Sequence, residues 1–159
     1  MSSAALAPTR NLATPANSPT ILIIEDYPDT RELISVLLVG QGYHVIEAEG
    51  GVEGLLKATA MYPDLVIMDL SLPEMDGVEA ARRIHEQAKL SRIPIIVVSA
   101  YLTEEVMADA KAAGCVAVFR KPFDTYELLA TISRTLENAI IENSSTEGAE
   151  IVAGDFSEA

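Results

Sequence analysis

Four apolar runs recur along the chain, and each stops at a polar cluster. Ile21–Ile24 ends in Glu25 and Asp26, and Leu65–Met68 ends in Asp69. Ile95–Val98 ends in Ser99, and Val116–Phe119 ends in Arg120, Lys121 and Pro122. Short unbroken apolar runs are the signature of strands buried on both faces. Amphipathic stretches separate them, so the runs read as parallel strands whose connecting helices cover both sides of one sheet.

On this pattern strands are expected near 20–24, 43–47, 64–68, 94–99 and 115–119, and helices near 29–40, 51–61, 76–88, 103–112 and 124–140. The fold class is α/β, a doubly wound five-stranded parallel sheet. Gly40 and Gly42 bracket the turn out of the first helix. Thr103 is the expected N-cap of the fourth helix, and Asp124 with Glu127 has capping-box spacing at the fifth. In an open α/β sheet the ligand lies beyond the carboxyl ends of the strands. Glu25, Asp26, Asp69, Ser99 and Lys121 all fall at or just after such ends. Three carboxylates, a hydroxyl and an ammonium at one edge suit a divalent cation and a phosphoryl group.

The 159 residues are enough for one domain with a real core. Residues 1–19, rich in Ala, Ser, Thr and Pro, read as a disordered arm, and 141–159 as an acidic flexible tail. The globular domain is expected over 20–140. Residues 20–139 carry 10 basic and 19 acidic side chains, a net −9 of the total −13. That balance repels phosphate backbones and argues against direct nucleic-acid binding. It suits cation binding or a basic protein partner. No apolar run approaches the length of a membrane span, and no signal peptide is seen, so no membrane insertion and a cytoplasmic location are expected. The lone Cys115 excludes an internal disulfide and is expected to open the fifth strand as a small core residue.

The ordered set Glu25-Asp26, Asp69 with Pro73 and Asp76-Gly77, Ser99-Ala100 and Lys121-Pro122-Phe123 resembles the receiver domain of two-component response regulators. The resemblance covers about residues 20–140. It implies a flavodoxin-like (βα)5 fold with strand order 2-1-3-4-5, an order carried over from the family. It implies Asp69 as phosphoryl acceptor, assisted by Lys121 and Ser99. It also implies a Mg²⁺ (or Mn²⁺) ion held by Asp26, Asp69, Glu25 directly or through water, and the backbone carbonyl of Ser71. Many family members have Asp at both positions of the acidic pair, so Glu25 displaces one oxygen by a methylene. A cis peptide before Pro122 is common in the family.

One departure concerns signalling. The family usually has Tyr or Phe three residues before the lysine, where this chain has Val118. Phe119 points to the opposite face by strand alternation. Tyr101, two residues after Ser99, is a candidate to screen the phosphoryl group from water. Arg120 is expected to face solvent.

The resemblance implies a stand-alone receiver, not an enzyme beyond its own phosphorylation and dephosphorylation. Its expected partners are a sensor histidine kinase or histidine phosphotransfer protein and an unidentified output protein. Val106, Tyr126 and Leu129, on the face of the fourth helix, fifth strand and fifth helix, are candidates for a partner or dimer surface. Two rivals remain. A receiver that binds partners without phosphorylation is disfavoured by the complete acidic, Asp, Ser and Lys set. An Asp-nucleophile phosphatase usually has a second Asp two residues after the nucleophile, where Ser71 stands. Gly50-Gly51-Val-Glu-Gly54 lacks dinucleotide-loop spacing and reads as a helix start. His44 and His85 are not placed near the carboxylates.

Overall fold

A computed structural model describes residues 18–151, the side chains of 143–151 excepted. Five strands alternate with five helices: β1 Thr20–Ile24, α1 Pro28–Gly40, β2 His44–Ala48, α2 Gly51–Met61, β3 Leu65–Met68, α3 Gly77–Glu86, β4 Ile95–Ser99, α4 Glu104–Ala112, β5 Ala117–Arg120 and α5 Thr125–Ile151. A short 3-10 turn, Ala88–Leu90, leads from α3 toward β4. All strand pairs are parallel, in the order β2-β1-β3-β4-β5.

Alternation along each apolar run divides the core between two faces. Leu22, Ile24, Val66, Met68, Ile95 and Val97 pack with Ala58, Ala80, Ile84 and Ala110 of α2, α3 and α4. Ile21, Ile23, Leu65, Ile67, Ile96 and Val98 pack with Ile34 and Leu38 of α1 and with Leu128, Ile132 and Leu136 of α5. Apart from Thr20 at the start of β1, every residue of an inner strand is therefore buried, which is why the sequence shows no polar alternation there. Each such apolar side chain contributes roughly 1.5–3 kcal/mol through burial.

The expected caps form. Thr103 Oγ1 accepts from the Val106 amide at 3.1 Å, and Asp124 Oδ1 accepts from the Glu127 amide at 3.1 Å. Asp76, expected inside the third helix, is instead its N-cap, with Oδ1 accepting from the Glu79 amide at 2.9 Å.

Two further expectations need correction. Cys115 does not open β5. Gly114, at φ 98°, ends α4, with its amide donating to Lys111 O and the Cys115 amide to Ala110 O. That pairing spends Cys115 on closing the helix, so the strand starts at Ala117. The last helix also does not stop near 140. It runs to Ile151, through the first part of the segment expected to be a flexible tail. Residues 126–147 contain neither Gly nor Pro, so no local stop signal falls at the expected boundary. Residues 1–17 of the expected N-terminal arm and 152–159 of the expected tail lie outside the described residues. Ser18 and Pro19 lead into β1, and Pro19 O accepts from the His44 amide at 3.0 Å.

Candidate functional site

The parallel register aligns the carboxyl ends of the strands. Ile24 is level with Met68 of β3, Met68 with Val97 of β4, and Ser99 with Arg120 of β5. The next residues along the chain, Glu25, Asp69 and Lys121, leave the sheet at this one edge. Backbone bonds hold them there: the Asp69 amide donates to Ile24 O at 3.0 Å, and the Lys121 amide to Ser99 O at 3.0 Å.

Glu25, Asp26 and Asp69 each offer an oxygen lying within 4.8 Å of the other two. Glu25 and Asp69 are buried, whereas Asp26 is exposed. Lys121 Nζ donates to Glu25 Oε1 at 2.8 Å and to Asp69 Oδ2 at 3.2 Å. The Ser71 amide donates to Asp69 Oδ1 at 3.1 Å, so both Asp69 oxygens have partners. Ser99 is fully buried, and its Oγ accepts from the Tyr101 amide at 3.3 Å. The Lys121–Pro122 peptide is cis, as the resemblance implies.

Burial pushes the Glu25 carboxyl above its ordinary pKa. The hydrogen bonds from Lys121 and the Tyr27 amide pull the other way, while the Asp69 charge adds to the upward push. Burial likewise disfavours the Lys121 charge, yet the hydrogen bond to Glu25 and the Asp69 charge outweigh it and hold that pKa above the usual lysine value. Three carboxylates and one ammonium sum to −2 when all are ionised, a charge that a divalent cation neutralises. The donor set fits Mg²⁺ in kind as well: hard oxygens on one side, and an exposed carboxylate that leaves room for retained waters.

A sequence profile of the response regulator receiver domain matches residues 21–133. The chain belongs to this family. The receiver is 31% identical over 120 residues to the polar-differentiation response regulator DivK of Brucella ovis, spanning 76% of this chain and 98% of DivK. It is 33% identical over 118 residues to the DNA-binding dual master transcriptional regulator RpaA of Synechocystis, but spans only 49% of that protein. A CheY-like receiver domain protein from Methanospirillum hungatei superimposes with a TM-score of 0.76 at 28% identity, over 79% of this chain and 99% of that one. The receiver domain of a sensor histidine kinase from Pseudomonas aeruginosa, with a magnesium ion coordinated in its active-site cleft, does so with a TM-score of 0.70 at 30% identity, over 76% and 98% of the two chains.

The candidate site residues of this receiver, Glu25, Asp26, Asp69, Ser71, Ser99 and Lys121, lie at or just after strand ends on the same sheet edge. Two supporting residues were not anticipated. Arg31 of α1 donates from Nη1 to Glu25 O at 2.8 Å and from Nε to Glu47 Oε1 at 3.0 Å, fixing the backbone beneath the acidic pair. No local pattern marks it, because its partners lie on two different strand ends. Arg120, though exposed, is not merely solvated: its Nη2 donates to Leu102 O at 2.9 Å. Val118 and Phe119 do face opposite sides, packing into the two different core clusters. His85 is tied to the fold, with Nδ1 3.0 Å from Ala113 O and Nε2 2.8 Å from Ile93 O. Gly50 and Gly51 open α2.

Of the three candidates for a partner surface, Tyr126 is 64% exposed, whereas Val106 and Leu129 are half-buried against the core. No helix among the described residues is long and apolar enough to cross a membrane.

Proposed function

We propose that this receiver takes a phosphoryl group from a phosphohistidine onto Asp69 and passes the signal through altered partner binding. The observation that carries this reading is the convergence of Glu25, Asp26, Asp69 and Lys121 at one strand edge. The donor is a sensor histidine kinase or a histidine phosphotransfer protein. In the transfer a bond forms between an Asp69 oxygen and phosphorus as the phosphorus–nitrogen bond of the donor breaks. The electron pair leaves on the donor imidazole, which then takes a proton.

Such a transfer needs positioning and charge neutralisation more than covalent help. A bound Mg²⁺ or Mn²⁺ ion supplies neutralisation of the phosphoryl oxygens. Asp26 and Asp69 would hold it, with Glu25 directly or through water and the backbone carbonyl of Ser71. Lys121 pairs with Asp69 before transfer and with a phosphoryl oxygen after it. The Ser99 hydroxyl donates to another phosphoryl oxygen. The acyl phosphate is a mixed anhydride and hydrolyses in time. On this reading the receiver turns over no external substrate and works in the cytoplasm, where it meets its kinase.

Tyr101 is 73% exposed at the rim of a groove of about 390 Å³ shared with Ser71, Arg82 and Val106. Screening of the phosphoryl group would require that ring to fold inward from solvent.

The test is incubation with Mg²⁺ and a small acyl-phosphate donor, read by intact mass. Wild type gains one phosphate, and Asp69→Asn gains none. An adduct that persists on the variant rejects Asp69 as acceptor. A wild type that gains none while still binding partners supports the phosphorylation-independent scaffold instead. Turnover of a generic phosphate ester would favour the phosphatase.

A further inference from the structure

We propose that Arg120 is the positioning residue that links the phosphoryl site to the α4–β5 surface in this chain, a role that rests on phosphoryl transfer to Asp69. Residues 118 and 120 project from the same side of β5, because strand side chains alternate. Val118 packs into the cluster that contains Leu102 and Val106, and has no long side chain with which to follow a movement of the β4–α4 loop. Arg120 reaches that loop instead, with Nη2 2.9 Å from Leu102 O.

The four residues of the loop, Ala100–Thr103, are held at three points. The Tyr101 amide donates to Ser99 Oγ at 3.3 Å, Arg120 donates to Leu102 O, and Thr103 caps α4. The first point is a long bond to the hydroxyl of Ser99, the residue proposed above to donate to a phosphoryl oxygen. The second is a shorter bond from a charged donor, the stronger class. A dianionic phosphoryl group on Asp69 draws the Ser99 hydroxyl inward, and the loop that follows Ser99 moves with it. That shift carries the Leu102 carbonyl away from Arg120. The guanidinium is released onto the α4–β5 surface as a free cation and donor, and the start of α4 loses its tether. The phosphoryl group thus favours one of two loop arrangements because it binds Ser99 better in that one.

The test measures amide hydrogen exchange across residues 102–107 of the full chain, with and without Mg²⁺ and a small acyl phosphate, while intact mass monitors the adduct. In wild type, phosphorylation accelerates exchange of this segment by roughly tenfold, the scale set by loss of a charge-assisted hydrogen bond. Arg120→Met, which keeps the aliphatic stem but no donor, gains the adduct at the wild-type rate. It exchanges fast in both states, so the phosphorylated-to-free ratio falls toward one. Arg120→Lys restores part of that ratio. A merely structural arginine would change both states equally, so an Arg120→Met variant that keeps the wild-type ratio overturns the proposal and leaves the Asp69 reading intact. A wild type without any adduct overturns both.

Discussion

Lys121 Nζ lies nearer to Glu25 Oε1, at 2.8 Å, than to Asp69 Oδ2, at 3.2 Å. One ammonium from the end of β5 therefore serves two carboxylates from the ends of β1 and β3. The shorter bond goes to the more deeply buried of the two, at 2% exposure against 6%. A shared cation of this kind offsets the repulsion between the two carboxylates.

Lys121→Met should leave Glu25 and Asp69 facing each other without a cation. A loss of about 1–3 kcal/mol is expected in metal-free protein at neutral pH, the usual cost of orphaning buried partners. Mg²⁺ should recover part of it by taking over the neutralisation. Urea midpoints with and without Mg²⁺ measure this, and an equal loss in both conditions would reject the shared-charge account. The variant should also accept phosphate more slowly.

Glu25→Gln should weaken Mg²⁺ binding by about tenfold or more, since it removes one of three clustered carboxylates. Isothermal titration with Mg²⁺ is the direct measurement. An unchanged affinity would show that Asp26 and Asp69 suffice without Glu25.

Gly77→Ala should be costly for a reason of close approach. A Cβ there would lie 2.5 Å from the Asp69 carbonyl oxygen and 2.7 Å from the Leu70 Cα, both backbone atoms that cannot swing aside. About 1–3 kcal/mol is expected, with a displaced Asp69 and slower adduct formation. Gly40→Ala is the control, since a Cβ there meets nothing within 4 Å. It should be neutral or stabilising by up to about 1 kcal/mol. Thermal melts and adduct rates of the two variants together decide the matter.

Burial raises the Cys115 thiol to about 11 from its ordinary 9.0. The unfolded chain ionises this thiol first, so its contribution to stability is present below pH 9.0 and is lost as pH rises toward about 11. Cys115→Ala should lack that component of the alkaline decline, which paired urea midpoints on either side of pH 9.0 would show. In folded wild type the thiol should also react far more slowly with an alkylating reagent than in denaturant. Equal rates would mean that the turn after α4 opens readily.

Sheet, helices and polar edge were legible because the signals that encode them are local. A run such as Leu65–Met68 is apolar throughout because both of its faces are covered, and that property survives in the sequence without knowledge of the covering helices. The Thr103 and Asp124 caps were equally visible, since a cap and its amide lie three residues apart. The boundary at Cys115 was less so: the residue is apolar enough for a strand, but the Gly114 turn takes its amide for Ala110 O. The end of α5 was missed because nothing local marks it near 140.

Residue type and order along the chain were sufficient to nominate Glu25, Asp26, Asp69, Ser99 and Lys121. Their mutual distances were not contained in that order. The sharing of Lys121 between Glu25 and Asp69 arises from the register of β1, β3, β4 and β5, which brings together groups up to 96 residues apart. The same holds for Arg31 beneath Glu25 and Arg120 against Leu102. An arginine reads alike in sequence whether it meets water or a carbonyl, and only the packing of strands and loops settles which acceptor lies within its reach.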